Sequence, residues 1–459
     1  MREPIKTMAC DNVDEFIYGT CAKPLTTKSG LVIGGGEIYP ELNFTLPAMQ
    51  INKSTIKEAY EIYTDIITES MKRAYELGAT GVTVEFETLP EFTENPKWGL
   101  EVTKILQNTM KEYEAKHGMK TALRVTPNDM REMNRPPIMR SGKYWESMKE
   151  FFKGCGELDV DYISIESTGG KELCDEGLVQ ANIRRTLFAL GVPCATDMQF
   201  LWEEIISTCK EYGIVAAGDS SCGFANTAMV LAEGGFIPRT FAAVVRNMTI
   251  SRALIPYEMG ATGPSKDCEY VGGYLKAITG YPVSMEGRMA AGAHLSQVGN
   301  IAAAVPDLWS NESIQQVQLL SGMAPVVGME QLIFDCRMLN TAKKMGQGLA
   351  MRDILVESDA PHDVQAYILR PDVIIDIASE IITETDPYLR TKKAALVTID
   401  RLRKAIDAGK VECPERDEAW LDIMEDQIGD CPDDPIAFYD EIKSELDMKK
   451  FIPSEYELA

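Results

Sequence analysis

STIKEAYEIYTDIITESMKRAYELGATGVTVEFETLP, residues 54–90, passes from helix to strand within one stretch. Ser54 or Thr55 can cap the helix, and Gly78 ends it. Residues 81–90, GVTVEFETLP, are rich in β-branched side chains that alternate as a strand does. The same alternation runs outward in both directions. GLVIGGGEI (30–38) reads as the preceding strand. A helix near 97–117 stops at His117-Gly118, and TALRVTP (121–127) is the next strand. A helix near 141–153 leads to VDYISIES (160–167), a strand. Residues 176–190 are helical, VPCATDM (192–198) reads as a strand, and QFLWEEIISTCKEYG (199–213) as a helix. IVAAGDSSC (214–222) enters a loop from a strand, helical material fills 224–255, and YEMGATGPSKDC (257–268) is a Gly-rich strand end and loop. YPVSMEG (281–287) is the last candidate strand.

About eight strands, each followed by a helix, imply a parallel sheet. Eight such units over about 260 residues suit a closed (β/α)8 TIM barrel. An open doubly wound sheet is the structural alternative. A dinucleotide fold is disfavoured because no G-x-G-x-x-G sits at a strand–helix turn. Gly34-Gly35-Gly36 lacks the Lys-Ser/Thr of a phosphate loop and reads as a tight turn or close backbone approach. The expected organisation is an N-terminal segment (1–29), the barrel (30–290) and a mainly helical C-terminal extension (291–459). DVIIDIASEII and KKAALVTIDRLRKAIDAG represent that extension, which turns acidic beyond residue 411. Its acidic run reads most simply as a solvated face.

The chain has 459 residues, 45 % of them hydrophobic and 25 % charged, which is ordinary globular usage. Its formal net charge is −24, so phosphate backbones and anionic membrane surfaces are repelled. No window offers the roughly 20 apolar residues of a membrane span, and the amino terminus has no apolar run of signal-peptide length. Eleven scattered Cys, an odd number, fit a reducing cytoplasm. The three His (His117, His294 and His362) lie far apart, so a metal site must draw on Cys and carboxylates. His117 is expected at a helix end, and His294 and His362 at the surface or in packing.

Barrel chemistry sits where strands end and βα loops begin. The polar residues expected there are Glu85, Glu87, Arg124, Glu166, Asp197, Asp219, Cys222 and Cys268. Glu166, Cys222 and Cys268 are each separated by more than one βα unit, so they converge only if the barrel closes. Glu plus two Cys is a plausible zinc set, since catalytic zinc keeps three protein ligands and an open position. Read alone, each Cys is a buried small hydrophobe. The Gly/Ser-rich loops around both favour the functional reading.

DYISIESTGGKE, GDSSCGFANTAM and GPSKDCEYVGGYLKAITG resemble segments of methanol:corrinoid methyltransferases, the zinc-bearing B subunit of the methanol–cobalamin system. The resemblance covers essentially the whole chain. It implies an α/β barrel with extra helices, Glu166, Cys222 and Cys268 as zinc ligands, and a separate corrinoid protein carrying the cobamide. It also implies a homodimer core bound to corrinoid subunits. No D-x-H-x-x-G cobamide signature occurs in the chain itself. The implied reaction moves the methyl group of methanol to a Co(I) corrinoid, with zinc activating the oxygen as a leaving group. Glu85, Glu87, Asp197 and Asp219 are the candidates to protonate that oxygen, each read more readily as a supporting or salt-bridge residue than as the acid itself. Arg124 reads as the neutraliser of these carboxylates. Two alternatives stay open: the same zinc chemistry on another methyl donor or a thiol, and a non-catalytic barrel that docks a corrinoid protein.

Overall fold

The computed structural model describes residues 2–44, 46, 49–220, 222–267, 270–311 and 318–458, with the side chains of Cys222 and Asp267 outside the description. Eight parallel strands form its centre: β3 (Tyr39–Asn43), β4 (Gly81–Glu87), β5 (Lys120–Thr126), β6 (Tyr162–Ile165), β7 (Val215–Asp219), β8 (Ser265–Asp267), β9 (Val283–Glu286) and β10 (Leu308–Ser310). They run in the order β7-β6-β5-β4-β3-β10-β9-β8. The two ends of that order meet: Thr262 N–H donates to Ala216 O at 3.0 Å. Gly218 makes the seam possible. Its φ is +131°, and a β-carbon there would lie 2.8 Å from Ser265 Cβ. The barrel is thus nearly closed, as the alternation of strands and helices predicts.

Strand β4 shows why the sequence folds this way. Six of its seven residues are buried, because one face looks into the barrel and the other onto helices. The helix before it, Ile56–Glu76, buries one stripe from Ala59 to Ala74 and leaves its charged residues outside. Helix Pro96–His117 ends at Gly118, whose φ of +67° suits the left-handed C-terminal position. His117 therefore sits at a helix end, as expected, with its ring against Tyr75.

Two stretches expected as barrel strands are not. Residues 32–35 form β2 (Val32–Gly35), which pairs antiparallel with β1 (Thr20–Thr26). This hairpin plugs the barrel floor: Leu31 and Ile33 pack with Ala122, Tyr162, Ala217 and Leu308. Its apolar alternation comes from facing that floor. Residues 193–198 begin helix Pro193–Tyr212, with Pro193 in the first turn. A short apolar run cannot distinguish strand from helix by period alone. The two strands that replace them, β3 and β10, lie at YPELN and LWS. LWS falls in the stretch expected to be helical.

From Ala324 onward the described chain is helical. Helix Pro387–Asp407 lies along helix Arg239–Met259, which is buried over nearly its whole length. The buried polar groups of the latter find partners in the extension. Arg246 reaches Gln365 at 2.9 Å, Asn247 reaches Thr398 at 2.8 Å, and Ser251 donates to Pro387 O at 2.7 Å. Arg390 pairs with Glu258 at 2.6 Å, both side chains fully buried. Arg390→Ala is expected to cost about 3 kcal/mol, because it strips the fully buried partner from the Glu258 carboxylate and leaves it to Arg2 at 3.0 Å and the Ile5 N–H at 3.2 Å. Denaturant titration of the variant measures this. Among the described residues, no helix is long and apolar enough to cross a membrane.

Candidate active site at the barrel mouth

The C-terminal ends of the strands bring acidic side chains to one face. Glu85 and Glu87 end β4, Glu286 ends β9, and Lys266 of β8 stands among them. Its Nζ lies 3.0 Å from Glu85, 3.2 Å from Glu87 and 2.9 Å from Glu286. Lys266 is almost completely buried. The three carboxylates raise its pKa against the opposing effect of burial. Glu85 is fully buried, accepts from Thr126 Oγ1 at 2.6 Å, and has its carboxyl pushed up by burial. Glu87 is partly open to the mouth; Lys266 holds its carboxyl below the ordinary value, and Asn43 Nδ2 donates to it at 3.1 Å.

Glu166 follows β6 and forms a parallel bridge with Asn128. Burial and the neighbouring Glu87 push its carboxyl to about 7. Its Oε1 lies 3.4 Å from the position a β-carbon on Gly223 would take. Glu166 therefore reaches the first turn of helix Cys222–Glu233, which begins just after β7. The Cys222 side chain and all of Cys268 lie outside the described residues. Among the described residues no group of three His, Cys, Asp or Glu side chains is arranged to hold a metal ion. The donor set nevertheless suits a divalent metal. The carboxylate is disposed to bind a proton or a cation in a crowded acidic mouth, and it meets the turn that bears one thiol.

Asp219 ends β7 as expected. Trp202 Nε1 donates to it at 3.4 Å, and Arg252 lies 3.8 Å away. Asp197 is not at a strand end. It lies in helix Pro193–Tyr212, where Arg131 grips it at 2.9 and 2.8 Å. The same guanidinium holds Asp129 at 2.9 and 2.7 Å, so Asp197 braces the loops after β5 and β6. The partner of Arg124 is Glu41, at 2.7 Å inside the barrel. That carboxylate was not among the candidates. Arg124 also donates to Ser164 at 2.8 Å. His362 is exposed, and His294 is partly buried at the end of the short helix Arg288–Ala293 that follows β9.

Sequence reasoning missed Lys266, Glu286 and Glu41. Lys266 carried a signal, since it stands in GPSKDC at a strand end. Glu286 also ends a candidate strand. Nothing local marks Glu41.

A nearly closed (β/α)8 barrel whose C-terminal mouth gathers carboxylates around a buried lysine belongs to the enzyme barrels. The methanol-cobalamin methyltransferase B subunit family matches residues 2–457, and the chain belongs to that family. It is 33 % identical over 457 residues to a methanol–corrinoid protein co-methyltransferase of Methanosarcina barkeri (strain Fusaro / DSM 804), covering 98 % of each chain. The crystal structure of the methanol:cobalamin methyltransferase complex from Methanosarcina barkeri contains a chain with the same fold. The TM-score is 0.93 and the identity 33 %, over 99 % of this chain and 100 % of that one.

Proposed function

We propose that this chain transfers the methyl group of methanol to the Co(I) corrinoid of a partner protein, with Glu166, Cys222 and Cys268 holding a zinc ion. The observation that carries the metal centre is the approach of Glu166 Oε1 to the turn bearing Cys222. Family membership across the chain supports the reaction. When bound, zinc supplies Lewis acidity toward the alcohol oxygen, which makes a poor leaving group departable.

The chain's own residues do the rest. Lys266 keeps Glu85, Glu87 and Glu286 packed at the mouth by offsetting their mutual repulsion. The floor hairpin and the buried Glu41–Arg124 pair fill the barrel below, so the mouth is open to the partner and closed underneath. The corrinoid protein faces this mouth in the proposed complex. A homodimer core and a cytoplasmic location belong to the same proposal.

Purified chain, reduced corrinoid protein and methanol are expected to give methylcobalt absorbance in proportion to methanol. A methyl ether and methanethiol are expected to give none. Turnover with either of those, and not with methanol, would replace the donor.

A further inference from the structure

Of the nineteen large apolar side chains exposed among the described residues, eight fall between Leu319 and Ile354. Exposed apolar surface gathered in one place marks an interaction site. Its centre is helix Ala324–Lys344, which follows β10 and packs on β3 and on helix Ile56–Glu76. The inner side of this helix is buried through Met329, Leu332, Ile333, Cys336 and Leu339. Its outer side carries Val327, Gln331, Phe334, Met338, Thr341 and, just past the last turn, Met345, all exposed.

These six residues are spaced four, three, four, three and four apart. That is the 3.5-residue repeat by which one helix lies along another over several turns. The stripe is also its own complement. Cys336 is its midpoint. A two-fold axis there, with the helices antiparallel, sets Val327 against the second copy's Met345, Gln331 against its Thr341 and Phe334 against its Met338. Apolar layers then meet apolar layers, and the polar layer meets the polar one. The charges of the helix follow the same symmetry. Its acidic residues, Glu330 and Asp335, precede the midpoint, and its basic residues, Arg337, Lys343 and Lys344, follow it. Antiparallel packing lays the acidic half beside the basic half, whereas parallel packing lays like beside like.

Charge selects the occupant as well. With a formal net charge of −24, two copies repel one another over most of their surface. On this face the charges are already offset: Glu330 meets Arg73 at 2.8 Å, Asp335 meets Arg288 at 2.7 Å and Lys344 meets Glu37 at 3.1 Å. A partner at the barrel mouth does not cover the stripe, because a barrel helix returns along the outer wall and its outer side faces sideways. Exposed Leu319 and Leu320 precede the helix, and exposed Leu349 and Ile354 follow it. Antiparallel pairing brings the start of one helix to the end of the other, which extends the face toward the ~800 Å² per partner of a stable dimer.

Deepening the homodimer of the functional reading above, we propose that two copies of this chain associate through the outer stripe of helix Ala324–Lys344, antiparallel about a two-fold axis at Cys336. Each barrel mouth stays open to its own corrinoid protein.

The test weighs the full chain by light scattering after gel filtration. Wild type is expected at twice the chain mass. Phe334→Glu and Met338→Lys each set a charge against an apolar side chain twice per dimer, so each is expected at half the wild-type mass. Both side chains face outward, so circular dichroism and zinc content should not change. Mixed in equal amounts, the two variants should return to the wild-type mass. The antiparallel register sets the new carboxylate of one against the new ammonium of the other and leaves the second Phe334–Met338 contact intact. Peroxide gives a readout that needs no variant. Met338, Met345 and Met448 are 45 %, 70 % and 45 % exposed in the single chain. In the dimer, Met338 and Met345 should oxidise several times more slowly than Met448.

A wild-type monomer would overturn both the interface and the homodimer, and would leave the methyl-transfer assay to decide the reaction. A wild-type dimer whose variants stay dimeric, or whose three methionines oxidise alike, would overturn this interface alone. A mixture that stays at half mass would overturn the antiparallel register. Variants that keep the dimer mass but no longer bind the corrinoid protein would assign the stripe to that partner instead.

Discussion

Cys222→Ser and Cys268→Ser are each expected to lose methanol-dependent methyl transfer by at least ~10³-fold. Lewis-acid activation is worth several kcal/mol of barrier, and each 1.4 kcal/mol is tenfold in rate. Serine is close to cysteine in size but is a poor metal ligand when un-ionised, so the fold should survive. Circular dichroism and partner binding should match wild type. Loss of partner binding along with activity would point to a structural role for the cysteines.

Lys266→Met should have the second largest effect. It removes the ammonium that lies within 3.2 Å of Glu85, Glu87 and Glu286. The three carboxylates then lose the ammonium that bridges them, and Arg124 still acts on Glu85. Stripping the partner from buried charges costs about 3–5 kcal/mol. Methyl transfer should also drop ~10²-fold, as removal of one preorganised charged group does elsewhere. The stability difference has a definite pH sign. Lys266 depresses the Glu87 carboxyl, so this pair stabilises the native state above the ordinary carboxylate range and ceases to as pH falls through it. Wild type should therefore lose more stability on acidification than Lys266→Met does. Adding Glu85→Gln to the variant should restore part of the loss, because one repelling charge is gone. Unchanged denaturation midpoints in Lys266→Met would show that the cluster is not held together by this lysine.

The strands that were legible in the sequence share one property: most of their residues are β-branched or apolar. GVTVEFE, KTALRVT and YISI carry that pattern in their own composition. YPELN does not, since Glu41 and Asn43 point into a barrel interior that pairs them with Arg124 and Glu87 across the sheet. LWS has three residues, too few for any period. The error at 192–198 came from an apolar run equally suited to a strand and to a helix's first turn, where Pro193 was the overlooked sign. The error at 30–38 came from a true strand whose hydrophobic face meets the barrel floor rather than its wall.

The site divides in the same way. Glu85, Glu87, Glu166 and Asp219 could be found because each ends a strand that could itself be recognised. Asp197 was carried along by the misread strand. The hub at Lys266 was out of reach, because its three partners come from β4 and β9 and meet only when the barrel closes.

Metal content tests the central claim most directly. Elemental analysis of the native chain, purified without chelators, is predicted to give about one zinc per chain, lost in both Cys222→Ser and Cys268→Ser. A zinc-free native chain that still methylates the corrinoid from methanol, or variants that both keep their zinc, would contradict the account.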